Sequence, residues 1–489
     1  MLLRFLAPLA ALAVLAPAQE IRVTSGIADF QVVQRNTGFS GDLKFGGTIA
    51  GSKGSGRRVE ARLLKGDTPL AGFDWVAIGK AQRQNWAGEL KNVPVGGPYT
   101  LEVRLQGAAA VYPVENILVG DLWILGGQSN MEGNGNLVDV QQSIPQVHSF
   151  DMTDKWLIAQ EPLHTARSAK DPVHWAKNEQ NQPQRLTGQA LEDYQAQRKK
   201  GAGLGLPFAA EMYRRTGVPI GLIPCAHGGT SMDQWSPALK DKGGDSLYGS
   251  MLRRFHAAGG SVKGMLWYQG ESDANPQAAP EFRSKFEDFV KAVRADFNQA
   301  DLPFYYVQIG RHVSSENAVP WRRVQLAQLE AESEIPHAGM VASIDCTLDD
   351  PIHISTEGLK RLAHRLANRV SHDLFPTVDG FADLKSGPRP VSAKYEESVV
   401  KVTFTGVNSK LESDGRLAGF SIHDEKGALL PLVFRAAIDP ANASTVLLYV
   451  PSRPPAKAAV WYGFGKDPYC NLHDTADMAA PVFGPLPIQ

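Results

Sequence analysis

Five short apolar runs separated by helical stretches constrain this chain more than any other feature. They are Leu122 to Leu125, Ile220 to Cys225, Met265 to Tyr268, Phe304 to Ile309 and Met340 to Ile344. Between the third and fourth, Phe282, Phe286, Phe289, Val290, Val293 and Phe297 recur at the spacing of one helix face. After the fifth, Leu359, Leu362, Ala363, Leu366 and Val370 do the same. Unbroken apolar strands alternating with amphipathic helices describe a parallel sheet covered on both faces. The expected fold class is α/β, with this domain over residues 118–380.

The flanks read differently. In the 19–117 segment Tyr99, Leu101, Val103 and Leu105 alternate with Thr100, Glu102 and Arg104, the period of a half-buried strand, so a β-sandwich is expected there. Past the proline-rich Ser386-Gly387-Pro388-Arg389-Pro390, alternation returns at Val400, Val402 and Phe404, and a second β-rich domain is expected over 381–489. The polar 132–200 stretch carries Trp156, His164, His174 and Trp175 with little periodicity. A connection that long within a compact domain reads as a lid or a set of insertions that shape a pocket.

Residues 1–18 place Arg4 ahead of the apolar Phe5 to Leu15 and the small-residue site Ala16-Pro17-Ala18, the pattern of a cleaved secretory signal too short to span a bilayer. The mature protein is expected to be exported, periplasmic or secreted, without a membrane anchor. A net charge of -1 argues against nucleic acid as a partner, because phosphate-backbone recognition needs concentrated Lys and Arg. Cys225, Cys346 and Cys470 are far apart and are expected to be buried thiols. No Cys-x-x-Cys or His-Glu-x-x-His motif supports a metal, and no cofactor is implied.

Ligands of an open parallel sheet collect outside the carboxyl ends of its strands. The residues after four of the runs are Gly126-Gly127-Gln128-Ser129-Asn130-Met131, Ala226-His227-Gly228-Gly229-Thr230, Gln269-Gly270-Glu271-Ser272-Asp273 and Asp349-Asp350-Pro351-Ile352-His353. These are the parts of nucleophilic acyl transfer: Ser129 to attack, His353 to take its proton, and Asp350 to orient the imidazole, with Asp349 as the fallback. The backbone N–H groups of Ser129 and Gly228 are natural oxyanion donors, and the Gln269 amide can supply a third. Gln128 and Asn130 are expected to brace the serine.

Other readings of these residues are weaker. His227 reads as a structural or pocket-wall histidine. Glu271 and Asp273 sit too close on one loop to flank a glycosidic bond and read as supporting hydrogen-bonders. Asp345, Asp349, Asp350 and His353 could be taken for a metal site, but a polar loop is the simpler description. The glycines of GAGLGLPFA lack the preceding strand of a dinucleotide fingerprint and read as a helix-entry turn. Trp156, Trp175 and Trp235 could stack on sugar rings.

The blocks GDLWILGGQSNMEG, PCAHGGTSMDQW, WYQGESDA and DDPIHIS resemble those of the sialate O-acetylesterase and acetylxylan esterase group within the SGNH (GDSL-like) hydrolases. VVQRN at 32–36 and the Gly97 to Leu101 segment are similar to that group's leading β domain. The resemblance implies a three-layer α/β/α sandwich and removal of acetyl groups from a sialic acid or an acetylated polysaccharide. It also implies Ser129, Asp350 and His353 as catalytic residues, with Ser129, Gly228 and Gln269 around the oxyanion. Many SGNH enzymes carry Asn where this chain has Gln269. The alternative from another class is a carbohydrate-binding protein on a degenerate esterase scaffold.

Overall fold

The structure, a computed structural model, describes residues 21–50 and 56–489. The expected signal segment, 1–18, lies outside the described residues. Two compact units are found, the first drawn from Met1–Asp29, Asp42–Val93 and Gly97–Ile117, the second from Phe30–Gly41, Pro94–Gly96 and Leu118–Gln489. The first is built of strands. Gly96–Leu105 pairs antiparallel with Arg58–Lys65, and Tyr99, Leu101, Val103 and Leu105 are buried as their alternation requires.

The second unit holds the α/β fold. Its main strands are β1 (Tyr112–Gly127), β2 (Val147–Phe150), β3 (Ile220–Pro224), β4 (Gly264–Tyr268), β5 (Phe304–Gln308) and β6 (Ala338–Ala342). They lie in the order β2, β3, β1, β4, β5, β6, every neighbouring pair parallel. Every residue of β3 to β6 is buried, which is why these strands are unbroken apolar runs rather than alternating ones. The short Trp156–Ile158 strand closes the β2 edge antiparallel. Val32–Gln34 pairs with β1 at Leu118, Val119 and Gly120. There Arg35 forks onto the buried Asp121 carboxylate at 2.7 and 2.8 Å.

The connecting helices are α1 (Ser129–Glu132), α2 (Gly205–Thr216), α3 (Leu247–Ala257), α4 (Phe282–Asp296), α5 (Val319–Glu334) and α6 (Thr356–Leu374). Phe282, Phe286, Phe289, Val290 and Val293 form the buried face of α4, and Leu359, Leu362, Ala363, Leu366 and Val370 lie on that of α6. The side chain of Ser355 caps α6 by accepting from the Gly358 N–H. Arg215 of α2 reaches Ser371 of α6, and Arg283 of α4 pairs with Glu330 of α5.

The 132–200 stretch is more than a lid. It supplies β2, a strand of four residues whose polar His148 and Ser149 are buried, so its letters carry no apolar run. The His148 ring meets the Phe30 carbonyl oxygen at 2.6 Å. The glycines of GAGLGLPFA do lead into a helix, α2. Its first residue, Gly205, lies so close to Leu125 that a Cβ would approach a leucine methyl to 2.4 Å.

Strands after Arg389 form antiparallel ladders, such as Arg389–Glu396 with Val399–Thr405, and belong to the second unit. The three cysteines are buried and unpaired. Among the described residues, no helix is long and apolar enough to cross a membrane.

A buried ion cluster ties α6 to the segment after β6 and to the chain's last hundred residues. The Arg365 guanidinium, 0% exposed, donates to both Asp345 carboxylate oxygens at 2.7 and 2.6 Å and to the Ala342 and Asp477 carbonyls. Asp345 is the nearer of two carboxylates on Arg365, the other being Asp477 at 3.1 Å, and removing Asp345 leaves a buried guanidinium under-compensated in a low dielectric. Asp345→Ala should therefore cost about 3–5 kcal/mol in denaturant-induced unfolding, well above the effect of Lys401→Ala, which breaks an exposed pair with Glu396.

Candidate active site

β1 is the strand at which the chain changes direction across the sheet, with β3 on one side and β4 on the other. The crevice at its carboxyl end is the place where such sheets bind ligands. Gly127 leaves β1 at φ 128°, a backbone state that L side chains rarely adopt, and a Cβ there would lie 2.2 Å from the Tyr268 carbonyl oxygen. The turn it permits puts Ser129 at the first position of α1, behind Gln128.

The turn is fixed from both sides. Gln128 donates its N–H to Tyr268 O at 2.8 Å, and its side-chain oxygen accepts from Ser272 N–H at 3.2 Å. Asn130, 2% exposed, accepts from Ile354 N–H at 3.0 Å and donates to Glu271 at 2.7 Å, with a long 3.5 Å contact to Ile352 O. Ser129 and His353 are thereby placed on directly connected loops, since Asn130 follows the serine and Ile352 and Ile354 flank the histidine. Ser129 Oγ itself makes no hydrogen bond among the described residues.

Asp350 and His353 meet as the spacing suggested. The Asp350 Oδ2 lies 2.8 Å and Oδ1 3.0 Å from His353 Nδ1, and Oδ1 also accepts the N–H groups of Ile352 and His353. Lys200 binds the same Oδ2. Burial opposes ionisation of Asp350, but the Lys200, His353 and backbone donors outweigh it and hold the carboxyl below its ordinary range. Asp349, the fallback, instead accepts from Asn136 N–H at 2.7 Å and Thr356 N–H at 3.2 Å and anchors the loop. Asp345 is taken up by Arg365, so these carboxylates are spent on separate partners rather than on a common center.

Two of the oxyanion expectations meet unexpected partners. Gly228 does lie against the serine, because a Cβ on it would be 3.4 Å from Ser129 Cβ. Its N–H, however, donates to Glu132 Oε2 at 2.6 Å. Gln269 is fully buried, and its amide nitrogen donates to Thr230 O at 3.1 Å and to Asp273 Oδ2 at 2.5 Å. Both amide hydrogens are thus consumed, which corrects the expectation of a third oxyanion donor: Gln269 braces the turns after β3 and β4. Asp273 completes that brace by accepting from Met232 N–H.

Glu271 and Asp273 therefore act as supporting acceptors, and burial pushes both carboxyls up. Glu271 Oε2 is buried without a hydrogen-bond partner among the described residues. Trp235 is buried and packs edge-on against Trp267, so it is a core residue and not a sugar platform. Sequence reasoning missed Glu132, Lys200 and His174, which touches His227 at 3.2 Å. The adjacency of Glu132 to the serine block was the one available signal.

A family model described as "Carbohydrate esterase, sialic acid-specific acetylesterase" matches residues 119–372. A protein of Arabidopsis thaliana named "Probable carbohydrate esterase" is 30% identical over 196 residues, covering 38% of this chain and 68% of the relative. Human sialate O-acetylesterase is 23% identical over 365 residues, 66% of each chain. The crystal structure of a carbohydrate acetylesterase from Xanthomonas citri has the same fold, with a TM-score of 0.65 and 24% identity over 95% of this chain and 99% of that one. The protein is thus an ester hydrolase of the carbohydrate esterase class. It belongs to the carbohydrate esterase, sialic acid-specific acetylesterase family.

Behind the site lie buried imidazoles. His164 is pushed down to about 3, first by burial and then by the charges of Arg254 and Arg198. An unfolded chain protonates this histidine near its ordinary value of 6.5 while the folded one refuses the proton. Its contribution is complete above that value and is lost as pH falls, by about 1.4 kcal/mol per pH unit. Urea unfolding between pH 6.5 and 4 should show this decline, and His164→Asn should flatten it.

Proposed function

We propose that the protein removes O-acetyl groups from an acetylated carbohydrate, a sialic acid or a polysaccharide, through an acetyl-enzyme on Ser129. The observation that carries this reading is the join made by Asn130, which holds the Ser129 turn to the loop where Asp350 already orients His353. Ser129 Oγ attacks the ester carbonyl carbon as its proton passes to His353 Nε2. Asp350 accepts the Nδ1–H and stabilises the imidazolium. The tetrahedral oxyanion is received by the N–H groups of Ser129 and Gly228, the second once the acyl oxygen has displaced Glu132.

Collapse of the intermediate breaks the bond to the sugar oxygen, which leaves as a hydroxyl with the proton from His353. Water, deprotonated by the same imidazole, then attacks the acetyl-serine, and acetate departs as Ser129 Oγ recovers its proton. The intact trio weighs against a binding protein on a degenerate scaffold. No step calls for a metal or an organic cofactor.

The architecture we propose is a three-layer α/β/α sandwich over 118–380, between a leading β domain over 19–117 and a closing β-rich domain over 381–489. The pairing of α2 with α6 and of α4 with α5 supports the layers, and the family match at 119–372 supports the boundaries. The leader-like residues 1–18 support export to the periplasm or beyond.

Purified protein should release acetate from acetylated sialic acid or acetylated xylan. Ser129→Ala should lower turnover on the order of 10⁴-fold or more, by analogy with other serine triads. Wild-type turnover retained in that variant, measured as acetate release, would remove Ser129 from the mechanism.

A further inference from the structure

A second network reaches the crevice from the side of α3. His227 lies one residue before Gly228 and donates its backbone N–H to Gly127 O at 3.0 Å, so it borders the serine turn. Its Nδ1 is 3.2 Å from the Nδ1 of His174, which is 2% exposed. His174 Nε2 is 3.3 Å from Ser250 Oγ, and that oxygen is 2.6 Å from Asp171 Oδ2. Arg253 pairs with the same carboxylate at 2.8 Å. The path runs from an ion pair, through buried groups, to the wall of the site.

Counting protons along it fixes each tautomer. A carboxylate paired with Arg253 only accepts, so the single Ser250 hydroxyl hydrogen goes to Asp171. Ser250 Oγ must then accept from His174, which puts the His174 proton on Nε2. A neutral His174 therefore has a bare Nδ1, and the proton between the two rings belongs to His227 Nδ1. What remains on a neutral His227 is a lone pair on Nε2. That atom has no hydrogen-bond partner among the described residues, and the residue, half-buried, borders the serine turn, which leaves the lone pair unspent.

We propose that His227 is a specificity-determining residue: its Nε2, kept bare by the Asp171, Ser250 and His174 chain, accepts a hydrogen bond from a free sugar hydroxyl neighbouring the acetyl ester. An acceptor nitrogen needs a donor, which an ester lacks and a partly acetylated sugar supplies. The assignment rests on the reading of Ser129 as the nucleophile, because it needs the ester to sit beside Gly228. Burial holds both imidazoles below their ordinary range, aided at His174 by the charges of Arg254 and Arg253 and opposed at His227 by Glu132.

The test compares two substrates of the full chain: a monoacetylated methyl glycoside with a free hydroxyl beside the ester, and p-nitrophenyl acetate, which has no hydroxyl donor. His227→Phe should lower kcat/KM for the glycoside on the order of tenfold more than for p-nitrophenyl acetate, chiefly through KM. His227→Gln, whose amide oxygen can take the place of Nε2, should recover most of that difference. Ser250→Ala should move the ratio the same way by a smaller factor. Imidazole ¹⁵N spectra should place the His227 proton on Nδ1. Equal losses on both substrates in His227→Phe, or a proton on Nε2 in the neutral ring, would overturn the assignment. A wild-type protein that fails to cleave p-nitrophenyl acetate and the glycoside alike would overturn the nucleophile reading instead.

Discussion

The Asn130 side chain is the constraint on which the site depends. Its two polar atoms join segments 224 residues apart, accepting from the Ile354 N–H and donating to Glu271, in a place almost closed to water. A buried amide of this kind stabilises by about 1 kcal/mol per hydrogen bond, but leaving its partners unpaired costs about 1–3 kcal/mol for each group. That asymmetry gives the loops after β1, β4 and β6 one mutual register. An Asp350 and His353 pair, however well bonded, reaches a serine only if the loop carrying it cannot slide.

The sheet was legible in the sequence because burial on both faces demands unbroken apolar runs, and each of the five runs became a strand. The helices after β4 and β6 were legible for the related reason that one buried face repeats every three or four residues. β2 was not, since its buried positions include His148, whose ring meets a carbonyl oxygen that composition cannot reveal, and Ser149, whose hydroxyl has no partner among the described residues. The site followed the same division. That Asp350 would meet His353 could be inferred from a spacing of three residues, a local matter. Where the two Gln269 amide hydrogens go depends on Thr230 and Asp273, and the letters alone left them free for an oxyanion.

The stretch between α1 and α2 reaches the chemistry through charge as well as shape. Lys200 binds the carboxylate oxygen that also faces the His353 ring, so Asp350 stays ionised at lower pH than an isolated pair would. A carboxylate shared in this way holds the imidazole in one tautomer while keeping its own proton affinity low, the division of labour a serine triad needs. His174 and Asp171 come from the same stretch and carry the polar path toward His227. A segment without periodicity is thus dense in paired polar groups, and pairing is what lets such residues be buried at all.

Glu132 sets the remaining condition on the site. It stands one helical turn after Ser129, and its Oε2 occupies the Gly228 N–H at 2.6 Å, beside the serine. One N–H cannot give its full strength to a carboxylate and to a developing oxyanion together, so in the proposed mechanism the hole is complete only when Glu132 has turned away. The cost of moving it is the loss of one charge-assisted hydrogen bond, about 1.5–3 kcal/mol. An oxyanion-hole donor returns roughly 3–4 kcal/mol in the transition state. On the proposed mechanism the exchange is therefore downhill where negative charge builds on the acyl oxygen and close to neutral or uphill for a ground-state carbonyl, which would make this donor selective for the transition state.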